Sequence, residues 1–282
     1  MTTLYPVVQI AEGTWEIDIF DTGSVFVLEG ETQAMIIDTG IGIGDLRAMV
    51  EKLTEKPYFV VMTHGHGDHT GGAGQFGKYY MNEKDKPFSP VVAGMEMRKG
   101  YASFFPKKFP DRYYAYDPEK DIVDFGNEVD ILPMTDGQQF DLGGRIVTAY
   151  ECAGHTPGSM VLLDEKIRCL FAGDAVNCNL LLRSKPGDAN YVSTSAALAG
   201  LKRIAGMHDK YDGIYNGHHD FRPLGAPLRD NVLYDAIYLL EDILAGTYTP
   251  IEQPDGMFGM GGGSATVKKN ETMITFLPDA VR

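Results

Sequence analysis

Cysteine, positive charge and long apolar runs are all scarce in this sequence. Its three cysteines, Cys152, Cys169 and Cys178, lack CxxC spacing, so they predict neither a disulfide framework nor a zinc knuckle. Such cysteine usage is typical of a reducing cytoplasm. The N-terminal residues show no basic region followed by an apolar core, and no segment is apolar over the length of a bilayer. We therefore expect a cytoplasmic protein with no membrane partner.

The charge balance is acidic, because 39 acidic residues face 25 basic ones and give a formal net charge of −14. There is no run of lysine or arginine, and an acidic surface repels phosphate backbones. We therefore expect a small-molecule substrate and no nucleic-acid partner. The 282 residues can bury one sizeable core, which predicts a single domain over 1–282. The sequence leaves open whether this domain forms a homo-oligomer.

Short strands and helices are predicted from the spacing of apolar residues. Four strands rich in β-branched and aromatic residues fill the first forty positions and predict an antiparallel meander. Further strands are predicted at 58–62, 145–150, 160–163, 168–171, 213–215 and 273–276, and helices at 45–53, 196–204 and 231–244.

Between about residues 84 and 137 this pattern gives way to proline, lysine, aspartate and aromatic residues, and we interpret the segment as an insertion or lid. Its rings, among them Phe104, Phe105 and Tyr113, could form an apolar wall against a substrate. Aromatic residues are as frequent in cores and interfaces, so a core edge or a dimer contact is the alternative.

A dense histidine cluster, THGHGDH, directly follows the predicted strand at 58–62. Imidazole nitrogens and carboxylate oxygens are ligands of divalent metals such as zinc, and the interleaved glycines let the backbone turn tightly. A lone His-x-His pair would more often be a polar surface loop. The candidate metal ligands of this loop are His64, His66, Asp68 and His69.

Further candidate ligands downstream make a metal loop the preferred interpretation. His155, Asp174 and His218 each lie just past a predicted strand and each follow a glycine, in AGHTPGS, FAGD and YNGHH. His219 could replace His218 if the turn is shifted by one residue, although the Gly-His order favours His218.

Taken together, these motifs resemble the metallo-β-lactamase fold superfamily, whose signature is HxHxDH followed by a distant histidine, an aspartate and a final histidine. HGHGDH, GHTPGS, FAGD and NGHH occur in that order, within a resemblance that covers most of residues 5–220. The resemblance implies an α/β fold, a four-layer αββα sandwich with two sheets inside and helices outside. The site would lie at one edge of the sheets.

The family pattern implies a binuclear metal site in this chain. One metal would have the ligands His64, His66 and His155, and the second would have Asp68, His69 and His218, with Asp174 bridging both. We expect two divalent ions, zinc first, with iron or manganese as alternatives because the same ligands suit all three.

Asp38, in the motif IIDTG, matches another family motif. The resemblance implies that its carboxylate orients the ligand loop through hydrogen bonds without contacting the metal. An aspartate that stabilises a turn or caps a helix is the alternative for this position.

The expected reaction is hydrolysis by a metal-bound hydroxide, because two ions that share a water lower its pKa towards neutrality. Asp68 is the candidate for proton transfer beside the nucleophile. Resemblance to the glyoxalase II and lactonase groups implies a small thioester, ester or lactone as substrate. Acyl-homoserine lactonases have a tyrosine where this chain has Asn177, so Asn177 is a candidate substrate contact that argues against lactone specificity.

Other activities occur on the same fold and stay open. They are a metallo-phosphodiesterase and a mononuclear iron oxidoreductase similar to persulfide dioxygenases. Metal content separates them, since two equivalents of zinc or manganese favour hydrolysis, whereas one iron with oxygen consumption favours the oxidoreductase. A non-catalytic binding module is the third alternative, and the complete set of ligand positions argues against it.

Overall fold

The computed structural model describes residues 1–88, 94–124, 129–218, 222–252 and 263–281. The first sheet has seven strands in chain order, and it opens with the predicted antiparallel meander before β4 to β7 continue in parallel. These strands are β1 (Val7–Ala11), β2 (Thr14–Asp18), β3 (Ser24–Glu29), β4 (Ala34–Ile37), β5 (Tyr58–Val61), β6 (Lys78–Met81) and β7 (Asp130–Pro133).

A second sheet of five strands has the order β13-β11-β10-β9-β8, and only the β11–β13 pair is parallel. Its strands are β8 (Gln139–Asp141), β9 (Ile146–Glu151), β10 (Met160–Asp164), β11 (Cys169–Gly173) and β13 (Gly213–Asn216). A smaller third sheet has the order β12-β15-β14 and consists of β12 (Asn179–Leu182), β14 (Ala265–Lys269) and β15 (Thr272–Phe276).

Six α-helices occur in the described ranges. Capping residues explain where two of them begin and where one ends. The Asp45 side chain accepts a hydrogen bond from the Ala48 N–H at the start of α1, and Ser193 caps α5 in the same way. Gly246 ends α6 with φ +72°, a left-handed conformation that glycine adopts without strain. The helices are α1 (Leu46–Leu53), α2 (Gly67–Thr70), α3 (Met95–Ala102), α4 (Phe104–Lys108), α5 (Thr194–Ala205) and α6 (Asn231–Ala245).

Three hydrophobic cores lie between the layers of the molecule. The central core joins the two large sheets, for example through Phe26 of β3 and Phe171 of β11, whose ring centroids are 4.8 Å apart. A second core packs the other face of the first sheet against α1 and α3, and a third packs the second sheet against α5 and α6. This order of helix, sheet, sheet and helix confirms the four-layer αββα sandwich.

The sequence pattern predicts fewer strands than the structure contains. It does not predict β6, β8, β12 or β14, and β7 lies inside the segment that we interpret as an insertion. Residues 130–133 therefore belong to the first sheet, and α3 and α4 are the helices that project between β6 and β7. His219 and residues 256–262 of a glycine-rich part of the sequence lie outside the described residues. None of the helices in the described ranges has both the length and the apolar character of a membrane span.

Candidate metal centre

The predicted ligands all lie just beyond the carboxyl ends of four strands. β5 leads into the loop with His64 and His66, and α2 follows at once and carries Asp68 and His69. Three strands of the second sheet supply the remaining side chains from the turns that follow them. β9 precedes His155, β11 precedes Asp174 and β13 precedes His218. The structure thus brings together all seven residues that the sequence singled out.

Three imidazoles form the first cluster. The Nδ1 atom of His66 lies 3.1 Å from Nε2 of His64 and 2.9 Å from Nε2 of His155. Nitrogen atoms that converge in this way offer lone pairs to one point, which is the arrangement of a site with three histidine ligands.

Asp68, His69 and His218 form the second cluster. The Oδ2 atom of Asp68 is 3.9 Å from Nε2 of His69 and 3.5 Å from Nε2 of His218. The chain passes very close to this cluster at Gly217, where an added methyl group would lie 2.5 Å from Cε1 of His69. Glycine at this position therefore lets the His218 loop approach His69.

Asp174 lies between the two clusters. Its Oδ2 atom is 3.6 Å from Nε2 of His155 and 3.4 Å from Nε2 of His218, while its Oδ1 atom is 3.6 Å from Nε2 of His69. One carboxylate therefore faces ligands of both clusters, as a bridging ligand must.

Two buried atoms show that the site fits metal ions. Nε2 of His69 and Oδ1 of Asp174 are buried and make no hydrogen bond in the described part of the chain, although both point into the site. Unpaired buried polar atoms are costly, so such atoms indicate a missing partner. A divalent cation in the second cluster, bridged to the first by Asp174, would satisfy both.

The electrostatics of the site also favour bound cations. Burial, followed by the nearby His66, lowers the pKa of His155 to about 3, which leaves the neutral imidazole that binds metals. Burial acts to lower the pKa of His69 as well, but the carboxylates of Asp68 and Asp174, then Asp38, outweigh it and raise that pKa to about 9. These carboxylates therefore stabilise positive charge in the second cluster, where a divalent ion would lie.

Asp38 connects the ligands from outside the clusters. Its Oδ2 atom accepts hydrogen bonds from Nδ1 of His69 at 2.9 Å and from the Thr63 hydroxyl at 2.8 Å, and its Oδ1 accepts the Thr63 N–H at 2.7 Å. Thr63 Oγ1 lies 3.1 Å from Nδ1 of His64. Asp38 has φ +61°, an uncommon conformation that aspartate tolerates better than most residues. Its position next to His69 agrees with the orienting role that the resemblance implied.

Asp85 is a positioning residue that the sequence did not reveal. This fully buried carboxylate accepts the N–H groups of Gly65 at 3.0 Å and Gly158 at 2.7 Å, and also the Thr156 hydroxyl. Asp85 therefore joins the loop of His64 and His66 to the loop of His155. No local motif marks it, because its partners are distant in the chain.

A cavity of about 530 Å³ opens over both clusters. Five predicted ligands, His66, Asp68, His155, Asp174 and His218, form its floor. The wall is mostly apolar and comes from α3, α4 and β12, through Met97, Tyr101, Phe104, Phe105 and Leu181. Asp21, Asn177 and Asn179 supply polar atoms.

The candidate substrate contacts have different positions in this cavity. Phe104, Phe105 and Asn177 line it, whereas Tyr113 is 88% exposed and is not among the lining residues, so the structure does not bring it to the site. The contribution of β12 is not predicted from the sequence. Asn179 and Leu181 are two residues apart, the spacing that places side chains on one face of a strand.

Comparison with known proteins gives the same family. Residues 18–218 match the model of the metallo-beta-lactamase superfamily. The chain is 27% identical over 202 residues to the human acyl-coenzyme A thioesterase MBLAC2, which covers 63% of this chain and 67% of that protein. It is 26% identical over 218 residues to the hydroxyacylglutathione hydrolase GloC of Haemophilus influenzae, with coverage of 75% and 92%.

A solved structure supports the fold independently. A metallo-beta-lactamase from Pontibacter korlensis superimposes with a TM-score of 0.56 at 18% sequence identity, over 85% of this chain and 100% of that chain. At this identity the likeness supports the architecture alone, whereas the family model covers every predicted metal ligand from His64 to His218. The chain belongs to the metallo-beta-lactamase superfamily.

Proposed function

We propose that this chain is a metal-dependent hydrolase of small-molecule thioesters that works with two divalent ions. The observation that carries the proposal is the convergence of seven candidate ligand side chains, five of which form the floor of a mostly apolar cavity. The names of two relatives, an acyl-coenzyme A thioesterase and a hydroxyacylglutathione hydrolase, support a thioester over the other substrates of this fold.

Each cluster would hold one ion, the first through His64, His66 and His155, and the second through Asp68, His69 and His218. When bound, the ions would supply an activated water and an electrophile for the substrate oxygen. The residues of the chain orient these groups. Asp174 fixes the two clusters relative to each other, and Asp38 holds His69 so that Nε2 faces the site.

Asp68 is the proposed catalytic residue for proton transfer. Its carboxylate lines the cavity, and its Oδ2 atom faces His69 and His218. The second oxygen, Oδ1, is therefore the atom that would accept the proton of the attacking water and pass it to the leaving thiolate.

The apolar lining of the cavity favours a substrate with an apolar acyl group. Phe104, Phe105 and Leu181 form the wall that such a group would contact. Asn177 lines the same cavity, and its Oδ1 atom accepts a hydrogen bond from Nδ2 of Asn216 at 3.2 Å. This arrangement leaves the amide nitrogen of Asn177 to donate a hydrogen bond to a substrate oxygen.

The experiment is a hydrolysis assay of the zinc-loaded protein against a panel of acyl thioesters, oxygen esters, lactones and phosphodiesters. We expect the highest kcat/KM for a thioester with an apolar acyl group, and loss of this activity in Asp174→Ala. A preference for phosphodiesters would replace the proposed substrate class. Activity unchanged in Asp174→Ala would contradict the assignment of the site.

Metal analysis of the purified protein separates hydrolysis from oxidation. Two equivalents of zinc or manganese agree with the proposal. One equivalent of iron, together with oxygen consumption in the presence of a persulfide, would identify an oxidoreductase instead.

A further inference from the structure

A buried ion pair lies close to the loop that carries His218, because one of its members bonds Asn216. Glu16 of β2 and Arg222 have side chains that are 0% and 1% exposed, and they are joined by two hydrogen bonds of 2.7 and 3.0 Å. Because β2 belongs to the first sheet and Arg222 follows β13 of the second, the pair connects the two sheets close to the metal centre.

Every N–H donor of the Arg222 guanidinium is used. Two bonds reach the Glu16 carboxylate, and a third, from Nη1, reaches the Ala226 carbonyl at 3.0 Å. The other two hold Asn216, since Nε donates to its side-chain Oδ1 at 2.7 Å and Nη2 donates to its carbonyl at 3.0 Å. Five donors in a planar group fix the orientation of Asn216 by both side chain and main chain.

Glu16 is satisfied to the same degree. Besides the two bonds from Arg222, its Oε1 accepts the Ser24 hydroxyl at 2.7 Å and its Oε2 accepts the Gly225 N–H at 2.8 Å. A buried network in which each member is fully hydrogen-bonded is rigid, and a change to one member affects the others.

Two contacts connect this network to the site. Asn216 lies two residues before His218, and its Nδ2 donates to Oδ1 of Asn177 in the cavity. The Ser24 N–H also donates to the Gly217 carbonyl at 2.7 Å, so the network holds the backbone directly before His218.

We infer that Arg222 is a positioning residue for the second metal cluster and for Asn177, acting through Asn216. This inference rests on the proposed function, because it assumes that His218 binds a metal ion. Groups that orient metal ligands through hydrogen bonds typically change metal affinity by about 10- to 100-fold when replaced.

The chain contains a matched control for a purely structural role. Arg145 and Asp164 also form a buried ion pair, with side chains 2% and 0% exposed and a distance of 2.6 Å. Arg145 donates hydrogen bonds to the Gly13 and Glu29 carbonyls and to the Thr14 hydroxyl. Thr14 is the first residue of β2, and Asp18 is the last. Its loss should disturb packing without reaching the metal ligands.

The test compares Arg222→Lys with Arg145→Lys. A lysine keeps the positive charge but has three donors on one nitrogen and cannot reproduce the fork of bonds to Asn216 and the carboxylate. Circular dichroism first confirms that each variant is folded. Zinc is then titrated into the apoprotein against a chromophoric chelator, which gives the affinity of each equivalent without any substrate.

We expect Arg222→Lys to weaken one of the two zinc equivalents about 10- to 100-fold and Arg145→Lys to retain both at wild-type affinity. Wild-type affinity in Arg222→Lys, or equal weakening in both variants, would overturn the inference and leave the proposed function intact. If Arg222→Lys does not fold, Asn216→Ala is the deciding variant, because it keeps the ion pair, and unchanged zinc affinity there overturns the inference. Wild-type protein that binds no zinc would overturn the proposed function itself.

Discussion

Replacement of Asp38 by asparagine tests how the chain orients a metal ligand. The change preserves shape, and asparagine adopts the φ of +61° at this position as readily as aspartate. In the native protein the carboxylate accepts three hydrogen bonds, two from Thr63 and one from Nδ1 of His69. An amide has one oxygen, so either orientation turns its NH2 group towards an N–H donor, that of His69 or that of Thr63.

In the more favourable orientation the amide NH2 faces His69. Nδ1 of His69 must then accept a hydrogen bond, so the proton of the ring moves to Nε2, the atom that faces the site. We therefore expect Asp38→Asn to weaken zinc binding by about 10- to 100-fold, which corresponds to about 1.4 to 2.7 kcal/mol. Chelator competition on the apoprotein measures this effect. Asp164→Asn is the control, because it removes another buried carboxylate, which bonds Arg145 and not a metal ligand. Unchanged zinc affinity in Asp38→Asn, or an equal loss of affinity in Asp164→Asn, would show that Asp38 does not orient His69 for metal binding.

Three further predictions concern the cavity, the metals and the ligand loops. Phe105→Ala should reduce kcat/KM for an apolar thioester by about tenfold or more, whereas the exposed Tyr113→Ala should leave it unchanged; equal kinetics in both would remove the apolar wall from the account. Zinc at 100 times its Kd should raise the free energy of unfolding by about 2.7 kcal/mol per site, seen as a lower Tm after EDTA treatment; an identical Tm would contradict bound metal. Asp85→Asn should lower the free energy of unfolding by about 1 to 3 kcal/mol in urea denaturation, because the amide NH2, itself a donor, must face the N–H of Gly65 or of Gly158. A stability equal to that of the wild type would show that this carboxylate does not hold the loops.

The convergence of the seven candidate ligands could be predicted from sequence because each one lies at a position that local chemistry marks. The strand of 58–61 is a continuous apolar run, and the histidines that follow it are too dense and too regularly interleaved with glycine to be incidental. Asp174 and His218 likewise follow strands directly. Local patterns of this kind also located the meander and helices α1, α5 and α6 to within a few residues.

The buried residues that hold the loops of the candidate ligands in place could not be predicted in the same way. Asp85 lies 20 residues from Gly65 and 73 from Gly158, and Glu16 lies 206 residues from Arg222. Single charged residues in a sequence are ordinarily expected at the surface, and only the folded chain shows that these are buried and paired. Leu181 was missed for a different reason, since β12 is a short strand in a small sheet and lies near the stronger signal of Asp174.

X-ray diffraction from zinc-loaded crystals at the zinc absorption edge tests the binuclear site most directly. We expect two anomalous peaks, one among His64, His66 and His155 and one among Asp68, His69 and His218, with Asp174 in contact with both. A single peak, or peaks away from these side chains, would contradict the binuclear site.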